Sequence, residues 1–372
     1  MAITFLEPGG DATFNVALTT AGGFWNNATA TLATDFVYGG HIKSIKYAPN
    51  TSQTVNVFNK LLDAGARVSL YIYIVTLPTA TAKIFGSTGG FPGQSVAITS
   101  GGVLKLLTGS STQIGSDGST LSTGIWYRLS LAQKITSSSI NRFELFLNGA
   151  SAISVTDATL GSTGNQTFQI GNISSDTTFD FRSSDHYVDD SSSLNDTGNI
   201  WVTAKRPNAN GTTNGFTTQI GSGGSGYGTG HSPQVNERPL STTNGWSMVG
   251  VGSAVTEEYN IEAKATGDIN ISTATIVDYL GWVSTSALVG ETVQIIVGGV
   301  NFAQAITSTT TLYTKIAGST TYPAGTGADI GITTDTSLTT VSLYECGIIV
   351  AYIPLKAITG VTSITGINQI TF

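Results

Sequence analysis

Apolar and polar residues alternate one for one in short runs of this chain, and this alternation narrows the available folds more than any other feature. Strict runs cover RVSLYIYIVT (67–76), GIWYRLSLAQ (124–133) and INRFELFLNG (140–149). Successive side chains of a β-strand point to opposite faces, so each run predicts a strand with one apolar face. Such strands predict an all-β chain whose antiparallel sheets stack as sandwiches. The predicted buried positions are Val68, Leu70, Ile72, Ile74, Ile125, Tyr127, Leu129, Leu131, Phe143, Leu145 and Leu147.

Turn signals and composition agree with this fold class. Asn148-Gly149 ends the third run, and Asn-Gly is the strongest short signal for a β-hairpin. Charged residues make up 10% of the chain, against about 25% in typical globular chains. Because 40% of the residues are apolar and many fall in alternating runs, we predict a folded chain rather than a disordered one.

The strand patterns divide the chain into four predicted segments. Residues 1–205 are predicted to form a first β-sandwich, and residues 256–354 a second, smaller one. Residues 206–255 are rich in Gly, Asn and Ser without periodicity, so we predict an irregular connection there. Its glycine cluster lacks the flanking strand and helix of a dinucleotide-binding loop. Residues 355–372 form a strand-forming tail, in which apolar residues recur every three positions at Ile358, Val361, Ile364, Ile367 and Ile370.

Charge and cysteine content argue against several classes of function. The net charge is −7 with 16 Lys plus Arg, whereas nucleic-acid grooves need clustered basic residues. No long apolar run predicts a membrane span, and no basic region followed by an apolar one predicts a secretory signal, so synthesis in a cytoplasm is expected. The single cysteine, Cys346, excludes an internal disulfide and a cysteine-based zinc cluster. Its apolar surroundings predict a buried thiol.

The stretch SDHYVDDSSSLNDTGNIW (184–201) concentrates acidic and amide side chains. One hypothesis is a calcium site, because Ca²⁺ takes about six to eight oxygen ligands. The alternative is a tight turn between strands, where Asp, Ser and Asn side chains cap nearby backbone N–H groups. His186 has no second histidine at metal-ligand spacing and is predicted to be an ordinary strand residue. The candidate calcium ligands are Asp189, Asp190, Asn195 and Asp196.

Three aromatic residues stand beside small polar residues and are candidates for ligand binding. They are Trp25 in GGFWNN, Tyr38 in DFVYGGH and Trp201 at the end of the acidic stretch. Such aromatics offer a stacking surface for a sugar ring. The alternative is that these rings fill the core or the edges of the sandwich.

The order of motifs along the chain resembles a known family. Trp126 to Arg128 precede Phe143 to Gly149, and FQIGN, DHYVDDSSSLNDTGNIWV and KRPNANG follow. This order resembles the concanavalin A-like (laminin-G/pentraxin-type) jelly-roll sandwich, and more closely its version in bacteriophage virion proteins, over roughly residues 1–355. In that version an Asp-Asp-φ-Tyr-Val-Asn-Asp strand leads to a strand ending in Arg-Pro-Asn. The counterparts here are Asp185, Tyr187, Val188, Asp189, Asp190, Arg206, Pro207 and Asn208.

The resemblance also raises glycoside hydrolysis, which some concanavalin A-like sandwiches perform with two carboxylates about 5–10 Å apart. Those enzymes carry Glu-x-Asp-x-x-Glu on one strand, and no glutamate here starts that pattern. Glu144 lies on an outward strand face beside Arg142. We therefore predict no enzymatic activity. An enzyme would need Glu144 or an aspartate of 185–190 to face another carboxylate across a cleft.

Low charge, high Gly, Ser and Thr content, and a strand-forming tail suit a particle-building protein. We predict a non-enzymatic bacteriophage virion structural protein, either a capsid decoration or a tail or fibre component, without nucleic-acid or membrane partners. It is expected to bind other virion proteins and to form homo-oligomers, with trimers favoured. The tail is expected to add a strand to a neighbour's sheet. The alternative is a module that binds a host-surface glycan, with or without Ca²⁺; no other cofactor is predicted.

Overall fold

The computed structural model describes most of the chain between residues 3 and 354. Every regular element within the described residues is a β-strand, and the sheets are antiparallel, so the all-β prediction is confirmed. No helix in this part of the chain is long and apolar enough to cross a membrane. The described residues are 3–7, 27–28, 30–41, 43–49, 54–56, 60–61, 65–88, 95–108, 111–137, 140–158, 165–174, 176–189, 193–221, 231, 235, 244–249, 253–266, 269–287, 291–306, 311–316, 321–324, 327–334 and 340–354.

The strands are numbered in chain order. The first group is β1 (Ile3–Glu7), β2 (Asn27–Ala28), β3 (Thr31–Ala33), β4 (Ser44–Tyr47), β5 (Thr54–Asn56), β6 (Lys60–Leu61), β7 (Gly65–Thr76), β8 (Ala82–Thr88), β9 (Ser95–Ile98), β10 (Leu104–Leu107), β11 (Gln113–Ile114), β12 (Trp126–Ser137), β13 (Ile140–Leu147), β14 (Ala150–Ala158), β15 (Asn165–Gly171) and β16 (Asp180–Asp189). The second group is β17 (Trp201–Lys205), β18 (Pro207–Asn214), β19 (Thr218–Ile220), β20 (Gly245–Val249), β21 (Thr256–Ile261), β22 (Thr275–Ser286), β23 (Thr292–Val297), β24 (Val300–Ala305), β25 (Thr311–Ile316), β26 (Ile330–Thr333) and β27 (Thr340–Ile353).

The first group of strands forms a sandwich of two eight-stranded sheets. Sheet I has the order β14-β13-β12-β7-β16-β4-β3, with β1 paired to β16. Sheet II has the order β11-β10-β9-β8-β15-β5-β2, with β6 paired to β15. Leu70, Ile72, Leu129 and Leu131 are buried in the core, as the alternation predicts. Ile125 is an exception, because it precedes the first residue of β12 and is 51% exposed.

The predicted hairpin at Asn148-Gly149 is present. Leu147 of β13 pairs directly with Ala150 of β14 across the two turn residues. Asn148 and Gly149 both adopt positive φ values, 51° and 91°. A two-residue turn with positive φ at both positions matches the right-handed twist of the flanking strands.

The second group of strands forms a smaller sandwich. Sheet III has six strands in the order β19-β20-β27-β22-β25, with β17 paired to β27, and sheet IV has five in the order β18-β21-β26-β23-β24. Tyr259, Val283, Ile295 and Ile348 are among the residues of its core. Cys346 is buried in the same core, which confirms the prediction for the thiol.

Sheet III contributes to both hydrophobic cores. Along β27, Ile348 and Val350 belong to the second core, whereas Ile349 and Ala351 belong to the first. Burial on both faces explains why the sequence of β27 is a nearly continuous apolar run. The two sandwiches are therefore joined by shared packing. The residues of sheet III that join the first core are Val202, Ala204, Leu280, Trp282, Ile349 and Ala351.

The structure differs from the predicted organisation between residues 201 and 255. Trp201–Lys205, predicted to end the first sandwich, pairs with β27 in sheet III. Pro207–Asn214, Thr218–Ile220 and Gly245–Val249 are strands, although an irregular connection was expected. β18 is an edge strand of sheet IV with mostly exposed or half-buried side chains. An edge strand that buries little needs no apolar alternation, so periodicity could not reveal it.

Asp176 fastens two loops at the rim of the first sandwich. Its carboxylate accepts hydrogen bonds from the backbone N–H groups of Thr79, Ala80, Thr178 and Phe179, and from the hydroxyls of Thr79 and Thr178. Burial would raise the pKa of Asp176, but the hydrogen bonds from Thr178 and Thr79 outweigh it and hold the pKa well below its usual range.

We expect Asp176→Asn to lower the free energy of unfolding by about 2 kcal/mol at neutral pH, because an amide cannot accept all of these hydrogen bonds. The folded-state pKa is depressed, so the stabilisation is present above the unfolded-state pKa of about 3.9 and is lost as pH falls through the folded-state value. Urea unfolding at neutral pH and at about pH 3 measures the effect. The difference in free energy of unfolding between the variant and the native chain should be smaller at about pH 3. An equal difference at both pH values would contradict the prediction. Asp117→Asn, at an exposed pair with Lys105, is the control and should leave the curve unchanged.

Candidate functional site

Asp189, a predicted calcium ligand, forms a buried ion pair with Arg67. The two residues lie opposite each other on β16 and β7. Arg67 Nε donates to Asp189 Oδ1 and Oδ2 at 3.1 and 3.0 Å, and Nη2 donates to Oδ2 at 2.6 Å. The Asp189 side chain is fully buried. Its charge therefore balances a guanidinium in a region that excludes water.

Asp196, a second predicted ligand, pairs with Arg128 of β12. Arg128 Nη1 donates to Asp196 Oδ1 at 2.7 Å, and Nη2 donates to Oδ2. The adjacent Thr197 hydroxyl lies 3.2 Å from the Ser130 hydroxyl. Burial would raise the pKa of Asp196, but the bonds from Arg128 outweigh it, so the pKa is lowered. The pair fastens residues 193–200 to sheet I.

The three predicted calcium ligands within the described residues, Asp189, Asn195 and Asp196, do not form an open cage of oxygen atoms. Asp189 and Asp196 each bind an arginine with both carboxylate oxygens, and Asn195 is exposed. Asp190 lies outside the described residues. Across the described part of the chain, no group of three or more His, Cys, Asp or Glu residues is arranged to hold a metal ion. Of the candidate ligands within the described residues, Asp189 and Asp196 each form an ion pair with an arginine of the same molecule.

Asp185 lies at a β-bulge of β16, between Ser184 and Tyr187. Its φ of 51° is rare for a residue other than glycine, and bulges commonly re-aim side chains. Its Oδ1 accepts a hydrogen bond from the backbone N–H of Val202 at 2.7 Å and lies 3.0 Å from His41 Nε2. Its Oδ2 is buried and has no hydrogen-bond partner. The bulge thus directs a buried carboxylate toward β17, with one acceptor atom unused.

The loop formed by residues 34–41 is fixed at both ends. Arg182 Nε donates to Asp35 Oδ1 at 2.9 Å at one end, and His41 binds Asp185 at the other. Between them, Tyr38 O accepts a hydrogen bond from His41 N at 2.9 Å, which closes a tight turn. Gly39 supplies the positive φ that this turn requires, 60°. The loop therefore holds the Tyr38 ring in a defined place on sheet I.

Five half-buried aromatic residues from four parts of the chain meet at the surface beside this loop. We call Phe36, Tyr38, Tyr73, Trp126 and Trp201 the aromatic platform. The Tyr38 ring centroid lies 5.2 Å from that of Trp126 and 5.1 Å from that of Trp201. Tyr73 lies 4.5 Å from Phe36 and 5.5 Å from Trp126. The rings are therefore in mutual contact and form one continuous surface.

The surroundings of the platform combine apolar and hydroxyl groups. Val37 is 39% exposed beside it, and the exposed Ile125 precedes Trp126. Tyr71 stacks under Tyr38 at 4.1 Å between centroids, and its hydroxyl donates to Asn199 Oδ1. Burial raises the pKa of Tyr38 to about 12 and that of Tyr71 further still. Both tyrosines therefore carry neutral hydroxyls at physiological pH.

Two of the three aromatic residues singled out from the sequence lie in the platform. Tyr38 and Trp201 are neighbours in it, although 163 positions separate them in the chain (201 − 38). Trp25 lies outside the described residues. Trp126 is not among the predicted ligand residues, although the alternation of β12 places it on the outward face. Phe36 and Tyr73 carried no separate signal.

The residues considered for hydrolysis have other partners. Glu144 accepts a hydrogen bond from Ser151 Oγ. Asp185 and Asp189 face His41 and Arg67, as described above. His186 is buried, and its Nε2 lies 2.8 Å from Ser183 Oγ, in keeping with an ordinary strand residue.

The chain matches no protein-family model and no curated protein sequence. Among solved structures, it is similar to endo-β-1,4-glucuronan lyase from the fungus Trichoderma reesei, with 13% identity and a TM-score of 0.38 over 52% of this chain and 98% of that one. It is also similar to the receptor-binding domain of botulinum neurotoxin D (14% identity, TM-score 0.33, 44% of each chain). A third is Trypanosoma rangeli sialidase (11% identity, TM-score 0.33, 43% of this chain and 27% of that one). These likenesses concern the β-rich sandwich form alone and bring no activity, ligand or partner to this chain.

Proposed function

We propose that this chain is a non-enzymatic structural protein of a bacteriophage particle, either a capsid decoration or a tail or fibre component. In this proposal its first sandwich is a concanavalin A-like jelly roll. The motif order from Trp126 to Asn208 supports the proposal. The observation that carries it is the use of the acids in 184–201. Asp185, Asp189 and Asp196 each bind a basic side chain of the same molecule, which suits a rigid block.

The packing of sheet III supports the same proposal. A particle component transmits force between its neighbours, so its domains must not move freely against each other. Shared cores resist such motion, whereas ordinary domain interfaces within a chain are smaller, more polar and permit it. Val202, Trp282 and Ile349 extend the first core into the second sandwich. The described chain therefore has the packing of a single unit.

The location of the chain tests the proposal directly. Intact particles of the phage that encodes the chain are purified on a density gradient and analysed by mass spectrometry and antibody labelling. We expect the chain in the particle fraction at a fixed ratio to the major capsid or tail protein. Its presence in the infected-cell lysate together with its absence from washed particles would refute a structural role.

Deletion of residues 356–372 is expected to weaken self-association, because this tail is proposed to add a strand to a neighbouring copy. The tail, with Ile358, Val361, Ile364, Ile367 and Ile370, lies outside the described residues. Analytical ultracentrifugation of the full and truncated chains measures the change, and a trimer-to-monomer shift is expected. The urea unfolding curve serves as the control and should keep its midpoint. An unchanged sedimentation profile would refute the contact.

A further inference from the structure

We propose that His231, Trp246 and Glu257 form a proton-dependent clasp, which fastens residue 231 to the second sandwich most tightly when the imidazole is protonated. This device goes beyond the proposed structural role. The chain has three histidines, and the other two, His41 and His186, are buried in the first sandwich. The side chain of His231 is 18% exposed, so water reaches it, whereas that of Glu257 is fully buried.

Both the main chain and the side chain of His231 are held. Its backbone N–H donates to Asn210 Oδ1 at 2.9 Å, and its backbone carbonyl accepts a hydrogen bond from Trp246 Nε1 at 3.1 Å. The imidazole stacks on the Trp246 ring, with 3.6 Å between the centroids and 6° between the planes. Imidazole Nδ1 lies 2.6 Å from Glu257 Oε1. Strands β18, β20 and β21 therefore each contribute one residue that binds His231.

Glu257 is the buried half of the clasp. Its Oε2 accepts a hydrogen bond from the backbone N–H of Phe216 at 2.9 Å, and its Oε1 accepts one from Asn214 Nδ2 at 3.2 Å beside the imidazole. Of these three partners within the described residues, only the imidazole can carry a positive charge. A buried carboxylate is costly unless an opposite charge compensates it. Protonation of His231 supplies that charge and makes the contact a charge-assisted hydrogen bond, which is the stronger kind.

The other ionisable groups around the clasp do not supply this charge. Tyr259 lies on the same side of β21 as Glu257, and burial raises the pKa of Tyr259 well above its usual range, so its hydroxyl is neutral. Cys346, near Tyr259, is a buried thiol. Glu258 faces the opposite side of β21, where it accepts a hydrogen bond from the backbone of β18. Of the described groups that face Glu257, His231 alone is of the residue type that gains a charge between about pH 5 and 8.

The two partners confine the charged form of the clasp to a range of pH. Burial raises the pKa of Glu257, although the N–H of Phe216 and the neighbouring His231 oppose the rise. Below that pKa, Glu257 is neutral and the imidazolium has no counter-charge. In alkaline solution the imidazole is neutral, and the carboxylate has only uncharged donors. The clasp is therefore tightest between these limits, in mildly acidic solution.

Trp246 gives the clasp an optical signal of its own, because a protonated imidazole in contact with an indole quenches indole fluorescence. The test records the tryptophan emission of the full chain across the pH range in which histidines titrate, and subtracts that of Trp246→Phe. We expect the difference, which is the emission of Trp246, to fall as the pH decreases. His231→Gln should abolish this fall.

Two neighbouring glutamates provide a matched pair of variants. Glu257→Gln keeps the size of the side chain but removes its charge, so the midpoint of the fluorescence change should move to lower pH by about one unit or more. Glu258→Gln removes a charge from the opposite side of the same strand and should leave the midpoint where it is. Equal midpoints in the native chain and Glu257→Gln would overturn the proposal.

Hydrogen exchange distinguishes a clasp from a histidine that titrates without consequence. The indole N–H of Trp246 donates to the carbonyl of His231, so its protection, measured by NMR against a free indole at the same pH, reports whether residue 231 is held. We expect about fivefold greater protection in mildly acidic than in alkaline solution, because a charge-assisted hydrogen bond is stronger than a neutral one. In His231→Gln the protection should not depend on pH. Protection in the native chain that is equal at both pH values would overturn the proposal, even if Glu257→Gln failed to fold.

Discussion

Asp189→Ala is expected to lower the free energy of unfolding by about 3–5 kcal/mol, one of the two largest effects that the structure predicts. The substitution leaves Arg67 charged inside the protein without its carboxylate, and the Arg67 side chain is only 9% exposed. Removing one partner of a buried ion pair costs far more than the intact pair contributes. Urea unfolding followed by tryptophan fluorescence measures the loss. A decrease below about 1 kcal/mol would mean that water reaches the pair.

Two further variants make the result specific to this ion pair. In Arg67→Met/Asp189→Leu both charges are replaced by apolar side chains, so most of the lost stability should return. Asp35→Ala also removes a carboxylate from a buried arginine, but Arg182 keeps Asp180 as a partner and Asp35 is 42% exposed. Asp35→Ala should therefore cost well under half as much as Asp189→Ala.

Trp282→Ala is expected to have a similarly large effect, about 3–5 kcal/mol, because it creates a cavity where the two sandwiches share their packing. Trp282 is fully buried and lies directly across from Gly347 of β27. A Cβ at position 347 would come within 2.9 Å of the indole, so the ring already occupies the space that a side chain would need. Urea unfolding monitored by far-ultraviolet circular dichroism should show the loss.

Comparison variants identify the cause of that loss. Trp282→Phe keeps an aromatic ring in the same place and should retain part of the stability. Val300→Ala, at a position that is 54% exposed on edge strand β24, should leave the urea unfolding curve unchanged. If Trp282→Ala were no more costly than Val300→Ala, the first core would not depend on sheet III.

The sequence was informative wherever one face of a strand is buried. In β7 and β12 the alternation identified which residues, such as Leu70 and Leu129, point inward. Neither β18 nor the double burial of β27 could be inferred in this way. An edge strand that buries little has no pattern to detect, and an apolar run buried on both faces does not reveal which partner covers each face.

The candidate site was harder to predict for a different reason. Arg67 and Asp189 are separated by 122 positions and His41 and Asp185 by 144, so the sequence shows the charges but not their pairing. The bulge at Asp185 also breaks the alternation of β16. One extra residue exchanges inward and outward positions, so the faces assigned before the bulge do not hold after it. Tyr38 and Trp201 were identified because aromatic residues beside glycine and small polar residues are informative without knowledge of register.

Sheet III is buried on both faces, and this limits which segments of the chain recombination can exchange during evolution. Recombination that replaced the first sandwich with an unrelated one would expose apolar surface on the second sandwich. Ile349 and Ala351 would lose the residues they pack against. The two halves are therefore expected to be inherited, or transplanted by an engineer, only as a pair.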